Sequence, residues 1–137
     1  LGRFALAERQ LQRAIQLAKL EAPADTHRHF EMQVDLAITR GQSGRYADAL
    51  AELQPVRDAL RTAADAPQEL LLRCLHHHAL ATFELAGPRP TRPLLDELLP
   101  LAALRPSGDR MALMARTLAA RVASAEHDHA AAIAILE

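Results

Sequence analysis

The chain has 137 residues, enough for one domain with a real core. Half of it is hydrophobic, yet only 3% is aromatic and tryptophan is absent; alanine and leucine dominate, which favours helix over strand. With 16 basic and 17 acidic residues the formal net charge is −1, so no global field recruits nucleic acid or an anionic membrane.

Cys74 is the single cysteine, which rules out an internal disulfide and agrees with a reducing, cytoplasmic setting. Lys19 is the only lysine, so the positive charge is almost all arginine, a bias expected of a GC-rich, bacterial genome. No apolar run reaches the length of a membrane span, and Leu1-Gly2-Arg3-Phe4 is not a signal peptide. The chain lacks an initiating methionine and closes inside a helical pattern at Ile133-Ala134-Ile135-Leu136-Glu137. It is expected to be a fragment of a longer protein.

From Arg3 to about Leu20, apolar residues recur at Leu6, Ala7, Leu11, Ala14, Ile15 and Ala18, with Leu17 beside them, which is one helical stripe. Pro23 is expected to end this helix, and Asp25 or Thr26 to cap a second that runs to about Arg40. Gly41-Gln42-Ser43-Gly44 reads as a hairpin turn, with Gly44 supplying positive φ. Tyr46, packing across the hairpin, opens a third helix to roughly Ala63, in which Ala49 is small because a neighbouring helix comes close. Asp65 reads as the cap of a fourth helix ending at Gly87. Pro88, Pro90 and Pro93 are expected to exclude a fifth before about Thr91, after which Leu94 to Leu101 is helical. Pro106-Ser107-Gly108-Asp109 breaks the chain before a sixth helix, Met111 to about Ala125. His127-Asp128-His129 turns into a seventh. Pro55 and Pro100, each inside a helix after Glu-Leu-x, are either a kink built into the architecture or drift absorbed by packing.

The segment Gly44-Arg45-Tyr46-Ala47-Asp48-Ala49 matches Gly2-Arg3-Phe4-Ala5-Leu6-Ala7 in character, 42 residues earlier. Gly87 follows Gly44 by 43 residues and His127 follows Gly87 by 40. A period near 40 with paired helices is the mark of a stacked array. This glycine–aromatic–small signature resembles the second half of a tetratricopeptide repeat, in the longer form found in kinesin light chains and many bacterial signalling proteins. The resemblance implies an all-α, right-handed α-α superhelix (a solenoid) of about seven antiparallel helices: one orphan followed by three hairpins, in a single domain spanning 1–137.

Enzymatic chemistry is not expected. His76-His77-His78 cannot converge on one ion, because consecutive helical residues point about 100° apart. They read as one core-edge and two exposed histidines. His127 and His129 flank a turn far from His27 and His29, so no metal site or cofactor is expected. Cys74 reads as a buried, inert thiol. No nucleophile elbow, phosphate loop or dinucleotide fingerprint occurs. Base stacking on RNA needs aromatic residues and a basic track, and neither is present.

What the resemblance implies is recognition of a protein or peptide along a concave groove lined by the first helix of each hairpin. Carried onto this chain, that face takes Glu31, Asp35, Ile38 and Gln42, then His77, His78, Ala81 and Glu84, then Thr117, Arg121 and Ser124. The family's two-carboxylate clamp for chaperone C-termini needs lysine and asparagine, which these positions lack, so that ligand is not expected. A regulatory module of a larger signalling or transcription-regulating protein is the reading that follows. The competing one is a sensor that holds a small molecule and controls an output domain. Apolar residues at both terminal helices are also expected to favour self-association.

Overall fold

The computed structural model describes residues 2–22 and 24–137, and these form seven helices and no strand: α1 (Gly2–Glu21), α2 (Thr26–Gln42), α3 (Tyr46–Thr62), α4 (Gln68–Ala86), α5 (Pro88–Ala103), α6 (Arg110–Ala125) and α7 (His129–Leu136). The expected stop at Pro23 lies outside the described residues. None of these helices is long and apolar enough to cross a membrane.

Three short acidic caps start helices where expected. The Asp25 carboxylate accepts from the Arg28 N–H at 3.1 Å, Asp109 accepts from Met111 at 2.9 Å and Ala112 at 3.1 Å, and Asp128 accepts from Ala131 at 3.0 Å. Gly44 sits at φ 80, as its place in the turn requires, and lets the Arg45 N–H reach back to the Arg40 carbonyl at 2.9 Å. The turn between α6 and α7 closes in the same way, with the Asp128 N–H on the Ala123 carbonyl at 3.0 Å. There the left-handed residue is His127, at φ 64, doing what glycine does at 44.

Two expected helix starts are corrected. The residue before α4 is Pro67, extended at ψ 124, and no side chain caps the helix; Asp65 instead lies 3.8 Å from His27. The connector after Gly87 is not a stiff non-helical segment: α5 begins at Pro88. The first residues of a helix have no intrahelical acceptor to lose, so prolines at positions 88 and 90 cost little, and φ near −65° is already helical. Pro55, Pro93 and Pro100 lie within helices that continue through them. All three are exposed, as are Ala51, Arg89 and Asp96 four residues before them, where water can take the freed carbonyl.

Successive helices pack on one another along the chain, and in addition the backbones of α2 and α4, and of α4 and α6, approach directly. The odd-numbered helices make no such approach among the described residues. The core falls into two clusters on either side of α4. Val34, Ala37, Ala49, Leu53, Val56, Leu60, Leu70 and Cys74 join α2, α3 and α4. Leu72, Leu75, Leu94, Leu95, Leu98, Ala115, Leu118 and Val122 join α4, α5 and α6. Neither the α1 stripe nor α7 is fully covered. Only Ile15 and Ala18 are buried on α1, and α7 buries nothing.

Ion pairs tie residues one unit apart. Glu8 bridges Arg40 (3.0 Å) and Arg45 (2.6 Å), Asp35 holds Arg73 (2.5 Å), Glu97 receives both Arg57 (3.3 Å) and Arg61, Glu84 meets Arg121, and Glu126 meets Arg92. Partly exposed pairs contribute little each, so their role is to fix how one pair of helices sits on the next.

Ala49 is 1% exposed, as its match to Ala7 predicts. Ala49→Leu is expected to lower stability by about 1–3 kcal/mol through overpacking. A thermal melt unchanged by that substitution would show the position to be slack.

Candidate functional site

The face on which α2, α4 and α6 approach one another carries a cleft of about 390 Å³. Ala37, Ile38, Gly41 and Gln42 bring it one turn and a half of α2; His77, Leu80, Ala81 and Glu84 bring the matching stretch of α4; Met114 and Arg121 come from α6. Both runs keep the three- and four-residue spacing that holds side chains on one helical face. Because the turn at Gly44 is tight, Tyr46 and Ala49 in the first turn of α3 close one end.

A second depression of about 320 Å³ adjoins it. Leu80, Met114 and Arg121 line both, and His76, Arg110, Leu113, Thr117 and Leu118 complete the second. The two therefore form one track running from the end of α2 across α4 to the start of α6.

The floor of the track is mostly aliphatic, with Ile38, Leu80, Ala81, Met114 and Leu118. Its lip is zwitterionic: Glu84 accepts from Arg121, whose guanidinium also lies over the Phe83 ring, 5.0 Å from the centroid. His77 is neutral at ordinary pH, since burial first, then His76 and Arg73, pushes its pKa down to about 3. A neutral imidazole offers one donor and one acceptor. Arg110 has no ion-pair partner among the described residues and brings the far end of the track a positive charge.

Of the residues the sequence placed on this face, Ile38, Gln42, His77, Ala81, Glu84 and Arg121 line the cleft, and Thr117 lines its continuation. Glu31 and Ser124 are exposed but border neither depression, and Asp35 is occupied in its pair with Arg73. His78 is a correction. It is buried, and its Nε2 lies 2.9 Å from Gln54 Oε1 on α3, because one residue beyond His77 the helix has turned toward the outer layer.

The two exposed histidines expected of the triplet are also corrected: His76 and His78 are 4% and 6% exposed, while His77, half-buried at the cleft wall, fits the core-edge place. The reason is the position of α4, which has a neighbour on four sides: α2, α3, α5 and α6. Burial lowers the pKa of both His76 and His78 to about 4; for His78, Arg57 and Arg61 add to the effect. Nδ1 of each lacks a hydrogen-bond partner.

Sequence reasoning missed Tyr46, Ala49, Leu80 and Met114, which it had assigned to packing or passed over. The available signal was register: Leu80 falls between His77 and Ala81, and Met114 sits seven residues before Arg121.

Cys74 is wholly buried, its thiol pushed up to about 12 by desolvation, with Sγ 3.8 Å from the Leu53 carbonyl oxygen. At that pKa it is not a thiolate nucleophile. Among the described residues no group of three or more His, Cys, Asp or Glu side chains is placed to hold a metal ion.

Comparison with protein-family models, with curated proteins and with solved structures finds no match to this chain.

Proposed function

We propose that the chain is a right-handed α-α superhelix of tetratricopeptide type, a non-enzymatic module that binds a peptide or protein segment along the face shared by α2, α4 and α6. It would serve a larger cytoplasmic protein in signalling or transcriptional regulation. The direct approach of the even-numbered helices and the ion pairs spaced one unit apart support the stacked architecture. The observation that carries the binding reading is the continuity of the two depressions through Leu80, Met114 and Arg121. An elongated track with an aliphatic floor and charged lip suits several successive side chains of an extended or helical segment. Preformed helices line it, so binding orders little on the protein's side.

A small-molecule sensor is the second reading, favoured by one fact. The cleft's volume of about 390 Å³ lies within the range of small-ligand sites, roughly 300–1,000 Å³.

Peptides selected from a random display library against the purified chain provide the test. Gln42→Trp and Thr117→Trp replace exposed residues, one in each depression, and should block the track without disturbing the core. Each is expected to weaken the selected peptides by roughly tenfold or more, about 1.4 kcal/mol. Peptides that bind both variants undiminished would remove the track from consideration. Saturable binding of drug-sized fragments, blocked by Gln42→Trp alone while no peptide binds, would transfer the cleft to the sensor reading.

A further inference from the structure

The second depression, between α4 and α6, offers hydrogen-bond donors and no free carboxylate. No aspartate or glutamate lines it. Of its two arginines, Arg121 is matched by Glu84, while Arg110 is exposed and has no ion-pair partner among the described residues. The charges around Arg110 are engaged elsewhere. Arg105 lies 3.0 Å from Asp109 and 3.5 Å from Glu69, and Arg73 is held by Asp35. None of these five side chains lines the depression. Arg110 also stands in the first turn of α6, where a cation opposes the helix dipole and no acidic residue follows the cap to offset it.

His76 lines the same depression and is 4% exposed. Its Nδ1 is enclosed without a hydrogen-bond partner. Burial keeps the ring neutral, so it carries a single N–H, and no acceptor among the described residues takes that proton. Water or a ligand oxygen in the depression is left to do so. Helices α4 and α6, separated by two reversals of the chain, run the same way. His76 comes eight residues before Glu84 and Arg110 eleven before Arg121, so both stand at the end of the depression away from that pair. Leu80, Met114 and Leu118 form the apolar floor beside them.

Resting on the peptide-binding reading, we propose that this depression is an anchor subsite for an aspartate or glutamate next to an aliphatic residue in the bound segment. The carboxylate meets the Arg110 guanidinium and accepts the His76 N–H, and the aliphatic side chain lies on Leu80, Met114 and Leu118. A segment with a basic residue there is disfavoured, because Glu84, the one carboxylate along either depression, already holds Arg121. The subsite thus fixes both the chemistry of the segment and its register along the track.

The test starts from peptides selected on the purified chain from a random display library. Their sequences should be enriched in aspartate or glutamate beside leucine, isoleucine or methionine. Exchanging the acid of one such peptide for its amide should weaken calorimetric binding roughly tenfold. Arg110→Gln should weaken the parent peptide to the same extent and the amide peptide no further, since both changes remove one contact. The position is exposed, and circular dichroism will show that the fold survives. Nitrogen NMR of the histidine rings should show the His76 signals moving with the acidic peptide and less with its amide. Selected peptides without acid enrichment overturn the subsite. So do fully additive losses, or a His76 ring unmoved by the acidic peptide. In each of those cases peptides that Gln42→Trp and Thr117→Trp still block would keep the track itself. A chain that selects no peptide removes track and subsite together.

Discussion

Lowering the pH from 7.5 to 5 is expected to remove roughly 4–6 kcal/mol of folding stability, a large share of the 5–15 kcal/mol of a typical domain. The cause is the buried triplet. His76, His77 and His78 carry folded pKa values of about 4, 3 and 4, against 6.5 when exposed. A depressed histidine pKa means that the unfolded chain binds the proton first. The stabilising difference is therefore complete above pH 6.5 and drains away as the pH falls through 6.5 toward 4. Each residue contributes about 1.4 kcal/mol per pH unit in that window, and three act together. Carboxylates enter later: Glu97, held low by Arg61 and Arg57, and Asp109, held low by Arg105, lose their stabilisation only below their ordinary values of 4.5 and 3.8. Urea midpoints at pH 7.5, 6.5, 5.5 and 5 separate the two phases. His76→Phe, which keeps a planar ring in place and removes the titration, should flatten the upper phase by about a third. A midpoint that holds steady from pH 7.5 to 5 would mean that the three rings reach water when protonated.

The same triplet marks where sequence reasoning stopped. The number of helices, their order and most of their ends follow from apolar spacing and from breakers such as Gly44, Gly87 and Pro106. Two starts escaped, one where proline was weighed as a breaker alone and one where Asp65 was taken as the cap. Pro88 opens α5 because the first turn needs no N–H from it, and Pro67 precedes α4 without a capping side chain. Two of the three histidines were read as exposed, but how many faces of a helix are covered depends on its neighbours in space. Four helices surround α4, and no local pattern in residues 68–86 announces that.

The candidate site was legible where it rests on periodicity. Ile38 and Gln42 on α2, and His77, Ala81 and Glu84 on α4, line the cleft on the face that the resemblance implies, carried along each helix by its spacing. An error of one residue turns a helix by about 100°, which is why His78 fell on the far side while His77 did not. Tyr46 and Ala49 were recognised as packing residues and do pack, yet the tight turn also brings them to the cleft wall. One residue can serve both purposes when a groove is floored by its own core.

Leu75→Ala and Leu85→Ala delete the same atoms from the same helix and are expected to differ by about 2 kcal/mol or more. Leu75 is 0% exposed, in the cluster with Leu72, Ala79, Leu98 and Ala115. Truncating it removes a buried isobutyl group and leaves space that neighbours on three helices must fill. Ala79 and Ala115 are too short to reach in, and Leu72 and Leu98 are already enclosed, so collapse is limited. The expected cost is about 2–5 kcal/mol, set by how much cavity persists. Leu85 is 54% exposed near the end of α4, and its loss should stay within about 0.5 kcal/mol, since helix propensity barely separates leucine from alanine. Urea unfolding of the two variants beside the parent measures both, and an unchanged m-value will show that the unfolded states are comparable. Equal costs, or the larger cost at Leu85, would mean that α4 is rotated about its axis from the orientation described. His76, one residue after Leu75, and the cleft wall at His77, Leu80 and Glu84 would then face elsewhere, so the packing of one leucine tests the register on which the whole site depends.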